Sequence, residues 1–185
     1  MDTTSPAASR YSRGAIVFHW TITILIVLNF TFAWVAEDLP KAEKLQMMGN
    51  HKAIGITILL LSLGRLLWRF TKPVPVLSAG LKAWEATLAK STHALFYVLM
   101  IGIPASGWIM HSAASAGKPI SVFGLFSYPG LPLAQDKATA GLFYELHEVM
   151  ATAMLVLLAL HIAAALKHKF IDGKGSILQM LPGRS

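Results

Sequence analysis

The sequence has no cysteine and few charged residues. The absence of cysteine among 185 residues excludes disulfides, thiolate-bound metals, iron–sulfur clusters and covalently attached haem. Charged residues make up 14% of the chain and hydrophobic residues 55%, whereas soluble domains carry about 25% charged residues. Internal repeats and low-complexity segments are also lacking. These deficits favour a membrane protein over a soluble domain.

Four apolar runs are each long enough to cross a bilayer, which takes about 20 residues of helix for a hydrocarbon core of about 30 Å. Unbroken runs of this kind predict helices, whereas a membrane barrel would show short alternating segments. The runs cover roughly residues 14–36, 50–70, 91–112 and 142–167. We therefore expect an all-α integral membrane four-helix bundle that forms a single membrane domain over residues 1–185.

The net charge of +7 is distributed unevenly between the two sides of the predicted bundle. Lysine and arginine number 11 in the two tails and the second connection, but only 5 in the first and third connections. The positive-inside rule therefore places both termini in the cytoplasm. The positive charge is therefore accounted for by the orientation of the helices in the membrane, and no nucleic-acid partner is expected.

The second and third connections carry different signals. The prolines and glycine of KPVPVLSAG (72–80) predict the end of helix two. The following LKAWEATLAK (81–90) is predicted as an amphipathic helix at the cytoplasmic interface. Glycine and proline exclude a long helix from the third connection (112–137), although it is rich in apolar and aromatic residues. A cap over the outer end of the bundle and a loop on the lipid headgroups both fit it.

The fourth run contains histidines at regular positions on one face. His147 and His161 are 14 residues apart, which places them within about 40° of each other and about 21 Å apart along the helix. His168 follows seven residues later and continues the same stripe to the cytoplasmic edge. Helix four therefore offers an imidazole near each membrane face.

Two histidines on other helices match these depths. His19 and His161 each lie six residues inside a cationic residue at the cytoplasmic end, and His51 and His147 both begin helices that enter from outside. Ionisable residues at membrane depth indicate function by default. A haem b iron takes two axial donors, and neutral imidazole suits iron. We therefore predict two haem b groups, one held by His19 and His161 on the cytoplasmic side and one by His51 and His147 on the outer side.

Helix three offers an alternative set of ligands. His93 and His111 are 18 residues apart, which is five full turns, so they also share a face. His93 is three residues from Lys90 and so nearer the surface than His19, and His111 stands at the outer end of its helix. Their position favours polar anchors at the membrane surface over haem ligands, but helix three could replace one of the other ligand helices.

Several stretches together resemble the bacterial cytochrome b561 family from Tyr11 to Pro182, most closely the branch that contains a superoxide oxidase. They are YSRGAIVFHW (11–20), NHKAIGITILLLSLGRLLWRF (50–70), PASGWIM (104–110), LHEVMATAML (146–155), LHIAAALKHKF (160–170) and LQMLP (178–182). The resemblance implies the same two pairs of haem ligands. It also implies a bacterial inner-membrane oxidoreductase that passes electrons from superoxide to ubiquinone.

The resemblance further implies a quinone site near His168 on the cytoplasmic side. A quinone carbonyl takes a hydrogen bond and, on reduction, a proton, and imidazole can supply both. Arg65, Arg69 and Lys167 lie on the same side. They are candidates to bind the quinone or the haem propionates, with anchoring of the helix ends as the alternative for Arg69 and Lys167.

Superoxide is an anion, so a positive surface near the outer haem would steer it inward. Lys52 and Lys118 are the candidate residues. Acidic residues on the same side oppose them and leave another outer-side reductant open. These acidic residues are Glu37, Asp38, Glu43, Glu145 and Glu148.

Three other functions compete with this reading. The chain could be the membrane-anchor cytochrome b subunit of a dehydrogenase or hydrogenase, with a soluble redox partner docked on the third connection. It could be a divalent-metal transporter, although no Asp or Glu lies near His19 and His161 within the apolar runs. A purely structural membrane protein would not require paired histidine depths.

Overall fold

The computed structural model describes residues 11–71, 83–172 and 180. The described chain forms four long helices and one short hairpin of two strands. The helices are α1 (Arg13–Glu37), α2 (Lys41–Thr71), α3 (Ala83–Ser115) and α4 (Lys137–Phe170), and the strands are β1 (Ile120–Val122) and β2 (Phe126–Tyr128). All four helices are long and apolar enough to span a membrane. The predicted all-α four-helix membrane bundle is confirmed, and the side on which the termini lie stays a prediction.

Polar side chains start two of the helices. The Ser12 hydroxyl accepts a hydrogen bond from the Ala15 amide at 3.4 Å before α1. The Asp136 carboxylate accepts from the amides of Ala138 and Thr139 at 3.0 and 3.1 Å before α4. Each cap satisfies amides that have no partner within the helix.

Neighbouring helices run antiparallel. In α1 and α2, Phe18 lies beside Gly64, and Asn29 lies beside His51. In α3 and α4, Gly102 lies against Met150, and Phe96 lies against His161. In both pairs the residue number rises along one helix as it falls along the other, which is the pattern of an up-and-down bundle.

The core of the bundle is small and drawn from all four helices. Its buried members are Ile22, Ile54, Ile58, Leu99, Met100 and Met154. Most other apolar side chains are exposed on the outer surface of the bundle. Because a lipid-facing surface is as apolar as a protein core, this exposure is what a membrane-embedded bundle requires.

The third connection contains an antiparallel hairpin that the sequence did not predict. Ile120 pairs with Tyr128, and Val122 pairs with Phe126. The buried side chains of Ile120 and Val122 pack against α2. The end of the bundle that carries this hairpin, together with the junction of α1 and α2, is called the hairpin end. The opposite end, where α1 begins and α4 ends, is called the terminal end.

The helices extend beyond the apolar runs. The segment 83–90, predicted as a separate interfacial helix, forms the first turns of α3 and continues into the spanning part without a break. A continuous helix satisfies each backbone group inside one element, whereas a break would leave amides and carbonyls to be paired elsewhere. The predicted end of helix two within 72–80 lies outside the described residues.

Gly14 in α1 provides a direct test of how tightly the helices pack. A Cβ atom at Gly14 would lie 2.6 Å from the Trp68 ring, and the Trp68 indole donates to the Ser12 hydroxyl at 3.0 Å. We expect Gly14→Ala to lower the free energy of unfolding by about 1 kcal/mol through overpacking. Thermal unfolding in detergent, followed by circular dichroism, measures this change.

Gly141→Ala is the matched control, because nothing lies within 4 Å of a Cβ at Gly141. Alanine there should stabilise the helix by up to about 1 kcal/mol through its higher helix propensity. Equal stabilisation by both substitutions would show that α1 and α2 can separate at Gly14 without cost.

Candidate functional site

Two histidines predicted to act as a pair, His51 and His147, lie side by side at the hairpin end. Their ring centroids are 6.2 Å apart and their planes are inclined by 68°. The Nδ1 atom of His51 is 3.1 Å from the Asn29 carbonyl oxygen, and Nδ1 of His147 is 2.9 Å from the Ile103 carbonyl oxygen. Because a carbonyl oxygen can only accept, both Nδ1 atoms carry a proton, and each Nε2 keeps its lone pair.

Helix α3 holds the His147 ring in place. The Ser106 hydroxyl donates to the Ile103 carbonyl at 2.7 Å, and its oxygen lies 3.1 Å from Nδ1 of His147. A Cβ atom at Gly107 would lie 3.2 Å from the same ring. The glycine therefore gives the imidazole room against the α3 backbone, and the serine supports its orientation.

At the terminal end, His161 lies against α3. Its ring centroid is 5.3 Å from that of Phe96 and 6.2 Å from that of His93. The ring contact of His19 is with Trp20, at 5.4 Å, and His19 lies within electrostatic range of both His161 and His93. The structure thus brings together three histidines from three helices, one more than the predicted pair.

A cationic cluster adjoins these histidines. The guanidinium groups of Arg65 and Arg69 lie 5.7 and 5.9 Å from the Tyr97 ring centroid, within the range of cation–π attraction. Burial raises the pKa of Tyr11, and the charges of Arg69 and Arg65 oppose that rise. Within the described ranges, neither arginine forms an ion pair with a carboxylate. Two guanidinium charges therefore lie beside Tyr97 at this end of the bundle.

The predicted quinone residues His168 and Lys167 share one carboxylate. The Oδ2 atom of Asp172 lies 2.7 Å from Nδ1 of His168 and 2.8 Å from Nζ of Lys167. A carboxylate accepts the Nδ1 proton, so Nε2 is the atom of His168 that faces other partners. The sequence reasoning missed Asp172. Its spacing of four residues from His168 was a signal that could have identified it.

The predicted outer lysines lie near the hairpin end. Lys52 is within electrostatic range of His51 and His111. The backbone carbonyl of Lys118 is 3.2 Å from Nε2 of His111. The acidic Glu148, which was expected to oppose these cations, accepts a hydrogen bond from the Tyr144 hydroxyl at 2.7 Å.

Metal-ion binding of the ordinary kind is not indicated at these histidines. In the part of the chain that the structure describes, no group of three or more His, Cys, Asp or Glu side chains could hold a metal ion. A catalytic or transported divalent ion usually has at least three protein ligands.

The contacts of Asp172 predict how the stability of the fold depends on pH. Hydrogen bonds from Lys167 and then from His168 lower the pKa of Asp172 below its ordinary value of 3.8. A lowered carboxyl pKa stabilises the fold above the unfolded pKa, and this contribution is lost as the pH falls through the folded value. We expect Lys167→Ala to shift the Asp172 pKa back toward 3.8.

A titration of the carboxyl ¹³C resonances in aspartate-labelled protein measures this pKa, with Asp172→Asn to assign the signal. Lys169→Ala is the control, because Lys169 contacts the Phe170 ring instead. An Asp172 pKa that stays unchanged in Lys167→Ala would show that the ion pair does not form in solution.

Known proteins match this chain along nearly its whole length. The family model described as prokaryotic cytochrome b561 matches residues 10–183. Cytochrome b561 homolog 2 of Escherichia coli (strain K12) is 33% identical over 179 residues, covering 93% of this chain and 91% of the relative. Cytochrome b561 homolog 1 of the same organism is 27% identical over 179 residues, covering 95% and 99%. A probable superoxide oxidase CybB of Yersinia pestis is 25% identical over 175 residues, covering 94% and 96%. The chain belongs to the prokaryotic cytochrome b561 family of multi-pass bacterial membrane proteins, which implies haem b binding and electron transfer across a membrane.

Proposed function

We propose that this protein holds two haem b groups in the bacterial inner membrane and passes electrons from superoxide on the outer side to ubiquinone on the cytoplasmic side. The observation that carries the proposal is the His51–His147 pair, in which both Nδ1 atoms are hydrogen-bonded to backbone carbonyls. Such bonds are the usual way in which a metal-binding histidine is held in one tautomer and one orientation.

Haem b bound at the hairpin end would be held by His51 and His147, whose neutral imidazoles suit iron. Their ring centroids are 6.2 Å apart, so both side chains reach the same site.

The second haem is assigned to the terminal end, with His161 as one ligand and His19 as the other. Matched depth supports His19, and electrostatic proximity to His161 agrees with it. His93 is the alternative, because its ring centroid is also 6.2 Å from that of His161. Both assignments take one ligand from α4, so α4 serves both sites.

Arg65 and Arg69 are proposed to bind an anionic or carbonyl group at the terminal end, either a haem propionate or the quinone headgroup. Arg65 is partly buried and Arg69 is exposed, and neither has an ion-pair partner among the described side chains, so both charges are available to such a group. Lys167 fits the role less well, since Asp172 already engages it.

Haem b, when bound, supplies a one-electron iron couple, and the chain contributes ligands, insulation and orientation. In the overall reaction, two superoxide anions are oxidised to two molecules of dioxygen, and ubiquinone takes up two electrons and two protons to form ubiquinol. His168 is proposed to act as an imidazolium, which donates from Nδ1 to Asp172 and from Nε2 to a quinone carbonyl. Lys52 and Lys118 are proposed to attract superoxide to the hairpin end.

The competing functions differ in their support. The absence of any three-ligand group among the described residues argues against a divalent-metal transporter. A membrane-anchor subunit with a soluble dehydrogenase or hydrogenase partner would use the exposed apolar tip of the hairpin for docking. The accessibility of a spin label at Leu125 to water-soluble and lipid-soluble reagents distinguishes such a docked partner from a lipid contact.

The haem assignment predicts the cofactor content of histidine variants. The protein should carry two haem b groups per chain, measured by the pyridine haemochrome spectrum. His51→Ala or His147→Ala should each lose about half of the haem, because one axial ligand of one site is removed. His19→Ala or His161→Ala should lose the other half.

His93→Ala decides the partner of His161, and His111→Ala is the matched control on the same helix. If His19 is the ligand, both of these variants keep two haems with unchanged spectra. Loss of a haem in His93→Ala, with two haems retained in His19→Ala, would move the ligand to α3. A colourless wild-type protein after haem supplementation would overturn the whole proposal.

The donor assignment predicts rapid reduction of the haems by superoxide. In stopped-flow mixing, superoxide should reduce the haems in competition with its own spontaneous dismutation, so haem reduction should rise above that background. Lys118→Glu should slow it by about two- to tenfold at low salt, because charge steers anion association. Lys169→Glu at the terminal end should leave this rate unchanged. If mixing with superoxide reduces no haem, and only added quinol does, superoxide is excluded as the donor.

A further inference from the structure

The tip of the hairpin exposes large apolar side chains that the proposed electron path does not use. Phe123, Leu125 and Phe126 are 52%, 82% and 49% exposed. No charged residue occurs between Lys118 and Asp136. An uncharged apolar tip of this kind is unfavourable in water, so lipid or another protein surface is expected to cover it.

The backbone of the tip is strained in a way that favours a role for Phe123. Phe123 and Gly124 have φ angles of 53° and 72°, and the Leu125 amide donates to the Val122 carbonyl at 3.0 Å. These are features of a type I′ turn, in which Asn and Gly are the usual central residues. A bulky aromatic residue is rare at positive φ, which suggests that its side chain has a purpose outside the hairpin.

The position of the hairpin along the bundle indicates the depth of its tip. The buried side chains of Ile120 and Val122 pack against Ala53 and Ile56 of α2. Ile56 lies six residues inside the apolar run that begins at residue 50, which corresponds to about 9 Å along the helix. The inner face of the hairpin therefore lies level with the first turns of the membrane-spanning stretch.

Tryptophan positions give a second, independent estimate of depth. Trp34 near the end of α1 is exposed, and Trp108 near the end of α3 donates its indole proton to the Pro129 carbonyl at 2.9 Å. The Trp108 ring also contacts Tyr128 of the hairpin at 5.1 Å. Because Trp and Tyr collect at the level of the lipid headgroups, the hairpin is attached to the bundle at that level.

We propose that the hairpin is a membrane-surface anchor, which inserts Phe123, Leu125 and Phe126 into the headgroup region of the leaflet at the hairpin end. Its inner face binds α2, and its tip binds lipid. The contact would fix the depth of this end of the bundle and shield the region around His51 from the side. This inference does not depend on the electron donor or on the haem ligands.

The absence of cysteine allows single labels to test the anchor. A nitroxide attached to Leu125→Cys in phosphatidylcholine–phosphatidylglycerol vesicles should collide more often with oxygen, which partitions into lipid, than with a water-soluble nickel chelate. Lys41→Cys, exposed at the same end of the bundle, is the matched control and should show the opposite preference. The oxygen-to-nickel accessibility ratio should be several-fold higher at Leu125 than at Lys41.

A Leu125 label as accessible to nickel as the Lys41 label would overturn the anchor, because the tip would then lie in water and be open to a soluble partner. Low accessibility to both reagents would also overturn it, since a second copy of the chain would then cover the tip. Circular dichroism checks that the labelled protein is folded. Phe123→Cys replaces Leu125→Cys if the latter does not fold.

Discussion

The hydrogen bonds from Nδ1 of His51 and His147 to backbone carbonyls are the contacts on which the hairpin end depends. Each joins two helices, because the Asn29 carbonyl belongs to α1 and the Ile103 carbonyl to α3. Leaving a buried polar group without its partner costs about 1–3 kcal/mol, and in lipid no water replaces it. The same contacts therefore assemble the bundle and orient the two imidazoles, so the fold and the site cannot be altered separately here.

The terminal end follows a different physical rule. Arg65 and Arg69 surround Tyr97, and the histidines beside them lie in the field of Arg65. Positive charge favours the form of any bound redox group that carries the extra electron. The sign of this field agrees with electron flow from the hairpin end toward the terminal end, which is the direction of the proposed reaction.

The four helices could be predicted from the sequence because hydrocarbon imposes length and composition on every spanning segment. The proximity of His51 and His147 could be predicted from their depth in the bilayer, because the direction of each helix fixes the depth of its residues. The position of His93 beside His161 could not be predicted in this way, because depth does not fix how each helix is rotated about its own axis. The surface hairpin also escaped prediction. Its two short strands are stabilised by the packing of Ile120 and Val122 on α2, and that packing partner is distant in the sequence.

Asp172 illustrates a further limit of sequence reasoning. It lies beyond the apolar run that drew attention to His168, and it acts only because α4 ends with His168 and Lys167 directed to the same point. The extension of α3 back to Ala83 is a similar case, since an amphipathic stretch can lie on a membrane or continue a spanning helix with equal local preference. Tertiary context decides between the two.

The Trp20 indole donates to the carbonyl of Met180 at 2.8 Å, a contact that joins residues 160 positions apart. During synthesis at about 5–20 residues per second, the first helix waits roughly ten seconds or more before its partner at the other end of the chain leaves the ribosome. His19 adjoins Trp20 in α1, so the terminal end is completed only at the last stage of biogenesis. The terminal end of the bundle therefore matures after the hairpin end.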